Sequence, residues 1–225
     1  MSKIVIQNLN KLYNANKPNA FYALKHINLS VEEGEIVILK GVSGSGKSTL
    51  LSLIGGLSKP SSGEILVNAQ NIAKLPDIMS SAFRHTEIGF IFQSFNLLEG
   101  LSVYQNILAP LALTKLGKEA MHEKVSRAMQ LVNIEHKKDQ NVGSLSGGER
   151  QRCAIARAVV MEPEIILADE PTANLDKDNA LIFIEILKKF KALHKTVVIA
   201  THDTLFGGLD CIDRCVLMRD GELLQ

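Results

Sequence analysis

The chain has 225 residues, 46% hydrophobic and 22% charged, with 16 Gly and 6 Pro. This is the composition of an ordinary folded protein and excludes disordered, collagen-like and repeat-dominated chains; at about 150 residues per domain it allows one large domain, or one domain with an inserted subdomain. Twenty-five Lys and Arg against 24 Asp and Glu leave a formal charge of +1, without the cationic excess that drives nucleic-acid or acidic-membrane binding, so a partner is recognised by shape.

In chain order, Lys3 to Asn8 and Ile27 to Val31 read as strands. Glu35 to Lys40 is a short β-rich run that enters a glycine-rich turn, and Lys47 to Leu57 follows as a helix. Gly63 to Val67 reads as another strand after the turn Lys59-Pro60-Ser61-Ser62-Gly63. From Val103 to Asn133 the pattern is helical, with Met121, Val125, Ala128, Met129 and Val132 on one apolar face. Glu164 to Asp169 and Thr196 to Thr201 are nearly continuous in apolar residues, as expected of parallel strands covered on both faces. Between them, Asp178 to Leu193 carries apolar residues at 180, 183, 184, 187 and 190, a helical spacing.

Strands alternating with helices predict an α/β core with a parallel sheet, an antiparallel β portion beside it from the N-terminal strands, and a helical subdomain inserted over about 95–144. The whole chain, 1–225, is expected to be one such unit. The most apolar segment, Leu97 to Leu113, contains Glu99, Gly100, Gln105, Asn106 and Pro110 and is not a membrane span. Met1 to Asn8 has no apolar core or small-residue cleavage site, so the expectation is a cytosolic chain without a signal peptide. Three cysteines, Cys153, Cys211 and Cys215, fit reduced thiols better than a disulfide framework. Cys211 and Cys215 have no second ligand pair with which to share a metal.

Gly41-Val42-Ser43-Gly44-Ser45-Gly46-Lys47-Ser48-Thr49 matches G-x-x-x-x-G-K-[ST] and lies between a strand and a helix. Glycines let the backbone N–H groups curl toward phosphate oxygens, the helix start adds positive potential, Lys47 charges the β and γ phosphates, and Ser48 is placed to ligate Mg²⁺. Ile165 to Glu170 ends a buried strand in two carboxylates. Alone, that run is equally a strand leading into a solvated turn; beside the phosphate loop, Asp169 becomes a candidate for the Mg²⁺ shell and Glu170 for orienting water or accepting its proton. Together these motifs predict a P-loop NTPase.

Leu145-Ser146-Gly147-Gly148-Glu149-Arg150-Gln151-Arg152 narrows the class. Ser146 and Glu149 also form a helix capping box by spacing, but with the other two motifs the run resembles the signature of the ATP-binding-cassette family. Resemblance then extends over essentially the whole chain. It implies that Tyr13 stacks on adenine, that Gln93 in Phe90-Ile91-Phe92-Gln93-Ser94-Phe95 reaches Mg²⁺ and the attacking water, that Asp176 belongs to a loop crossing a dimer interface, and that His202 contacts the γ phosphate.

The resemblance further implies a head-to-tail homodimer in which Ser146, Gly147, Gly148 and Glu149 of one subunit close over ATP held by Gly41 to Thr49 of the other. It implies hydrolysis that drives separate permease subunits from the cytoplasmic face of the inner membrane, with no nucleic-acid partner. Phe95, Leu97, Leu98, Leu101 and Val103 either line a groove for a permease helix or form helical-subdomain core. The short length, Leu53 to Leu57, Phe90 to Leu98 and Ala168 to Asp176 look like the subgroup serving lipoprotein release, macrolide or peptide efflux and cell division, whose permeases commonly have few spans and transmit force. A cell-division-type scaffold and a soluble non-transport ATPase of the same family are the alternatives. Two places depart from the family pattern: Val142-Gly143 stands where relatives often have proline, and Glu99-Gly100 follows Gln93.

Overall fold

A computed structural model describes residues 2–224. The chain opens with two long strands, β1 (Ser2–Tyr13) and β2 (Phe21–Glu32), followed by β3 (Ile36–Lys40), α1 (Lys47–Ile54), β4 (Ser62–Val67), β5 (Gln70–Asn71), α2 (Asp77–Glu87) and β6 (Ile88–Ile91). Helices α3 (Val103–Leu108), α4 (Lys118–Leu131) and α5 (Gly147–Val159) come next, then β7 (Ile165–Asp169), α6 (Lys177–Ala192), β8 (Thr196–Thr201), β9 (Arg214–Arg219) and β10 (Glu222–Leu224).

Two sheets result. One has order β2-β1-β4-β5 and is antiparallel; the other has order β10-β9-β3-β8-β7-β6. In the second, β9, β3, β8, β7 and β6 run parallel and β10 closes one edge antiparallel to β9. The near-continuous apolar runs of β3, β7 and β8 are explained by covering on both faces. Ile36, Ile38, Ile166, Ala168, Val197 and Ile199 pack into a core with α3 to α6. Their neighbours Val37, Leu39, Ile165, Leu167, Val198 and Ala200 pack on the opposite side with α1 and the antiparallel sheet. Side chains alternate with period two, so both halves of each strand must be apolar.

Several expected elements change extent. Helix α1 stops at Ile54 rather than Leu57 because Gly56 adopts φ +62, a left-handed conformation that ends a helix. The expected helix from Val103 to Asn133 is broken. α3 gives way to a tight 3₁₀ turn, Ala109–Leu113, carrying Pro110, and α4 begins after Gly117. On α4 and just beyond it, Val125, Ala128, Met129 and Val132 are buried and Met121 packs at their margin. The expected apolar positions of α6, 180, 183, 184, 187 and 190, are buried, whereas Leu181 and Ile182 on the same helix are exposed. No helix among the described residues is long and apolar enough to cross a membrane.

Candidate functional site

Four parallel strands deliver the candidate residues to one end of the sheet. β3 runs into the phosphate loop, β6 ends two residues before Gln93, β7 ends at Asp169 and β8 ends just before His202. Ligand sites of α/β sheets form at the carboxyl ends of the strands. A cleft of about 600 Å³ lies there, lined by Ser43 to Thr49, Gln93, Glu170, His202, Tyr13 and residues of β2.

The loop's shape depends on glycine at specific points. Gly46 has φ +103, and a Cβ there would meet Ala23 O at 2.6 Å; a Cβ on Gly41 would meet Met218 O at 2.2 Å. No side chain caps α1, so its first N–H groups, on the cleft-lining residues Lys47 to Thr49, have no capping side chain to accept them. Lys47 is buried, and its Nζ donates to Gly41 O (2.8 Å) and Val42 O (3.1 Å) and lies 3.6 Å from Glu170. Ser45 Oγ is buried with no hydrogen-bond partner among the described residues.

Ser48 Oγ donates to Asp169 Oδ1 at 2.8 Å. Burial pushes the Asp169 carboxyl up, and the Glu170 charge adds to that against the Ser48 hydrogen bond and Lys47. Glu170 follows with φ +45, a left-handed backbone held by its N–H to Ala200 O (2.8 Å). Such strain persists only where surrounding contacts over-determine it. Its carboxylate accepts from Thr201 Oγ1 (3.2 Å) and the His202 N–H (3.4 Å), and lies 3.0 Å from His202 Nδ1. Gln93 is fixed through its backbone, Asn174 Nδ2 donating to Gln93 O at 3.2 Å.

Tyr13 is partly exposed and stacked on Phe21 with ring centroids 5.6 Å apart, Lys11 Nζ standing 4.9 Å from its ring. Phe21, Tyr22, Lys25, Asp220 and Gly221 also border the cleft and were missed from the sequence. The paired aromatics Phe21-Tyr22 were the available signal, since an exposed aromatic pair on a strand offers a stacking platform.

The signature residues are not brought to this cleft. Ser146 caps α5, accepting from the Glu149 N–H while the Glu149 carboxylate accepts from the Ser146 N–H (2.8 Å). That backbone bond, helped by Lys137, holds the Glu149 carboxyl below the usual range. Asp176 likewise caps α6, its carboxyl lowered by the Asn179 N–H. Thus both the capping-box reading and the motif reading describe the same residues. Gly148 packs against α6: a Cβ there would lie 1.9 Å from Asn179 Oδ1, and Asn179 is held by Asp176 (2.9 and 3.0 Å) and Arg152 (3.0 Å). Gly148→Ala is expected to cost about 1–3 kcal/mol by overpacking, a Tm fall of about 2–12 °C in thermal unfolding.

The two departures from the family pattern meet in space. Arg150 Nε donates to Val142 O (3.1 Å), and its guanidinium lies 3.4 Å from Glu99. Of the apolar residues after Gln93, Val103 is buried and Leu97 packs on the core, while Leu98 is exposed. Cys153 is buried, its thiol pushed up to about 12, Cys211 is buried and Cys215 exposed.

Residues 24–173 match the family described as ABC transporter. The chain belongs to this family. It is an ATP-binding ATPase subunit of the ABC type. It is 40% identical over 221 residues to the ABC transporter ATP-binding protein YxdL of Bacillus subtilis (strain 168), covering 98% of this chain and 84% of that one. It is 38% identical over 226 residues to the lipoprotein-releasing system ATP-binding protein LolD of Pseudoalteromonas translucida (strain TAC 125), covering 99% and 96%. Among solved structures, the ATP-binding cassette MJ0796, in a dimeric post-hydrolysis state bound to ADP and Pi, superposes with a TM-score of 0.90 at 36% identity, over 99% of this cassette and 97% of that chain. CbiO1 from Clostridium perfringens, part of the transporter complex CbiONQ, gives 0.88 at 34%, over 100% and 87%.

Proposed function

We propose that two copies of this cassette pack head to tail around two ATP molecules and that the pair drives a separate membrane permease of the few-span, force-transmitting type. Each copy acts as one unit over 1–225 with the helical subdomain at about 95–144, peripheral to the cytoplasmic face of the inner membrane. What carries the reading is a division in the site. Lys47, Ser48, Gln93, Glu170 and His202 share one cleft, whereas the exposed, serine-capped start of α5 lies outside it. A second copy supplies that helix start, whose N–H groups and positive potential suit a γ phosphate. The dimeric state of MJ0796 and the LolD likeness support this reading.

Within one site, Tyr13 stacks on adenine, the backbone of Gly41 to Thr49 cradles the phosphates, and Lys47 balances charge on the β and γ groups. Ser48 and Asp169 form an all-oxygen pair with a desolvated carboxylate short of positive charge, which fits Mg²⁺, a hard cation; Gln93 offers a further oxygen. Bound there, Mg²⁺ would supply neutralisation of phosphate charge. Glu170 holds a water in line with the γ phosphorus and takes up its proton, while His202, 3.0 Å from that carboxylate, contacts the γ phosphate. Loss of the γ phosphate removes contacts that only the closed dimer makes, so the dimer opens.

The test is an affinity capture of tagged Glu170→Gln protein from detergent-solubilised source membranes with ATP present, the captured proteins being identified by mass spectrometry. Recovery of a few-span permease with a large external domain is expected. Recovery of ribosomes or DNA-repair proteins, or of the cassette alone, would remove the transporter reading and leave the ATPase in place.

A further inference from the structure

Just after Gln93 the chain makes a corner that Phe95 disfavours, Asn96 being a residue that takes the left-handed region readily. Phe95 and Asn96 have φ +61 and +50, two consecutive non-glycine residues in the left-handed region. The corner is held from α5. Arg157, with its guanidinium half-buried, donates from Nη1 to Asn96 O (2.5 Å) and from Nη2 to Phe95 O (2.7 Å). The two carbonyls take one fork of the guanidinium, a geometry a lysine cannot reproduce. Seven residues earlier on the same helix face, Arg150 reaches Glu99. Between them the fully buried Asn106 of α3 accepts from the Leu98 N–H (2.7 Å) and donates to Leu98 O (3.2 Å).

The geometry points to Arg157 as a positioning residue for hydrolysis, acting through Gln93: its fork holds the strained Phe95-Asn96 corner and so sets where Gln93 enters the cleft. This rests on the proposed placing of Gln93 at the reacting phosphate. Arg157 does not line the cleft, and its hydrogen bonds go to Phe95 O and Asn96 O. Arg157 lies on α5, the helix that Ser146 caps, so its fork ties the Phe95-Asn96 corner to that helix.

The test is steady-state ATP hydrolysis by Gln93→Ala, Arg157→Met, Arg157→Lys and the Gln93→Ala/Arg157→Met double variant. Arg157→Met is expected to lower kcat on the order of 100-fold, the scale of a small misplacement of a reacting group, with KM for ATP within about 2-fold because the phosphate loop is untouched. Arg157→Lys retains more activity than Arg157→Met, and the double variant is no slower than Gln93→Ala alone. Additive losses, a raised KM with kcat unchanged, or wild-type turnover in Arg157→Met while Gln93→Ala is impaired would overturn the proposal. Wild-type turnover in Gln93→Ala would instead overturn the placing of Gln93, and with it this role for Arg157. Should Arg157→Met not fold, Asn96→Gly is added to Arg157→Lys. Glycine adopts the left-handed corner freely, so rescue of kcat is expected, and no rescue counts against the proposal.

Discussion

Glu170→Gln is expected to bind ATP and lock the dimer while turnover falls by about 10²–10⁴-fold, the range assigned to a positioned general base. The amide is nearly isosteric, and its carbonyl can still accept from Thr201 Oγ1, which now stands 3.2 Å from the carboxylate. Its other end cannot take a proton from water. Removing the negative charge also frees Lys47, 3.6 Å away, to interact wholly with phosphate, so ATP affinity holds or rises. The measurement pairs phosphate release with the sedimentation coefficient at saturating ATP. A dimer with little phosphate release is the expected pair of results. Wild-type phosphate release would remove Glu170 as the base, and a monomer at saturating ATP would separate nucleotide binding from association.

The left-handed backbone at Glu170 gives this prediction a structural control. The φ of +45 and the bond from its N–H to Ala200 O are properties of the turn, so exchanging a carboxylate for an amide leaves them alone. Thermal stability is therefore expected to change little, and a large Tm loss would point to a structural role instead.

What could be read from the sequence followed from how tightly chemistry constrains it. β3, β7 and β8 stood out because covering on both faces makes every residue apolar, and the phosphate loop because few other needs place glycines, lysine and serine at those offsets. Strands β1 and β2 extend well beyond the expected Lys3 to Asn8 and Ile27 to Val31, since register shifts and the left-handed Asn8 and His26 break their alternation. Helix α2 went unseen because only Ser80 and Phe83 of its eleven residues are buried, too few to print an apolar stripe. The run from Val103 to Asn133 looked continuous because its buried residues keep helical spacing on both sides of Pro110. Arg157 was invisible as a site contact for a different reason: it binds backbone carbonyls, which every residue carries, so no partner side chain in the sequence announces it.

A complementation experiment separates a site built within one chain from one built between two. Lys47→Ala removes the charge buried under the phosphate loop, and Ser146→Arg places a bulky cation at the start of α5; each homodimer is expected to be inactive. Arg at position 146 also loses the cap on the Glu149 N–H, at about 1 kcal/mol, a Tm fall of only about 2–4 °C. In a mixed dimer built head to tail, one composite site contains both lesions and the other contains neither. A 1:1 mixture, half of it heterodimer with one intact site each, is therefore expected to regain about a quarter of wild-type hydrolysis. Were the cleft and the signature helix to serve ATP within the same chain, every site in the mixture would carry one lesion and no activity would return. Recovery thus depends on geometry alone: Ser146 is outside the cleft that holds Lys47 in its own chain, and under the proposed head-to-tail packing the second chain brings it there.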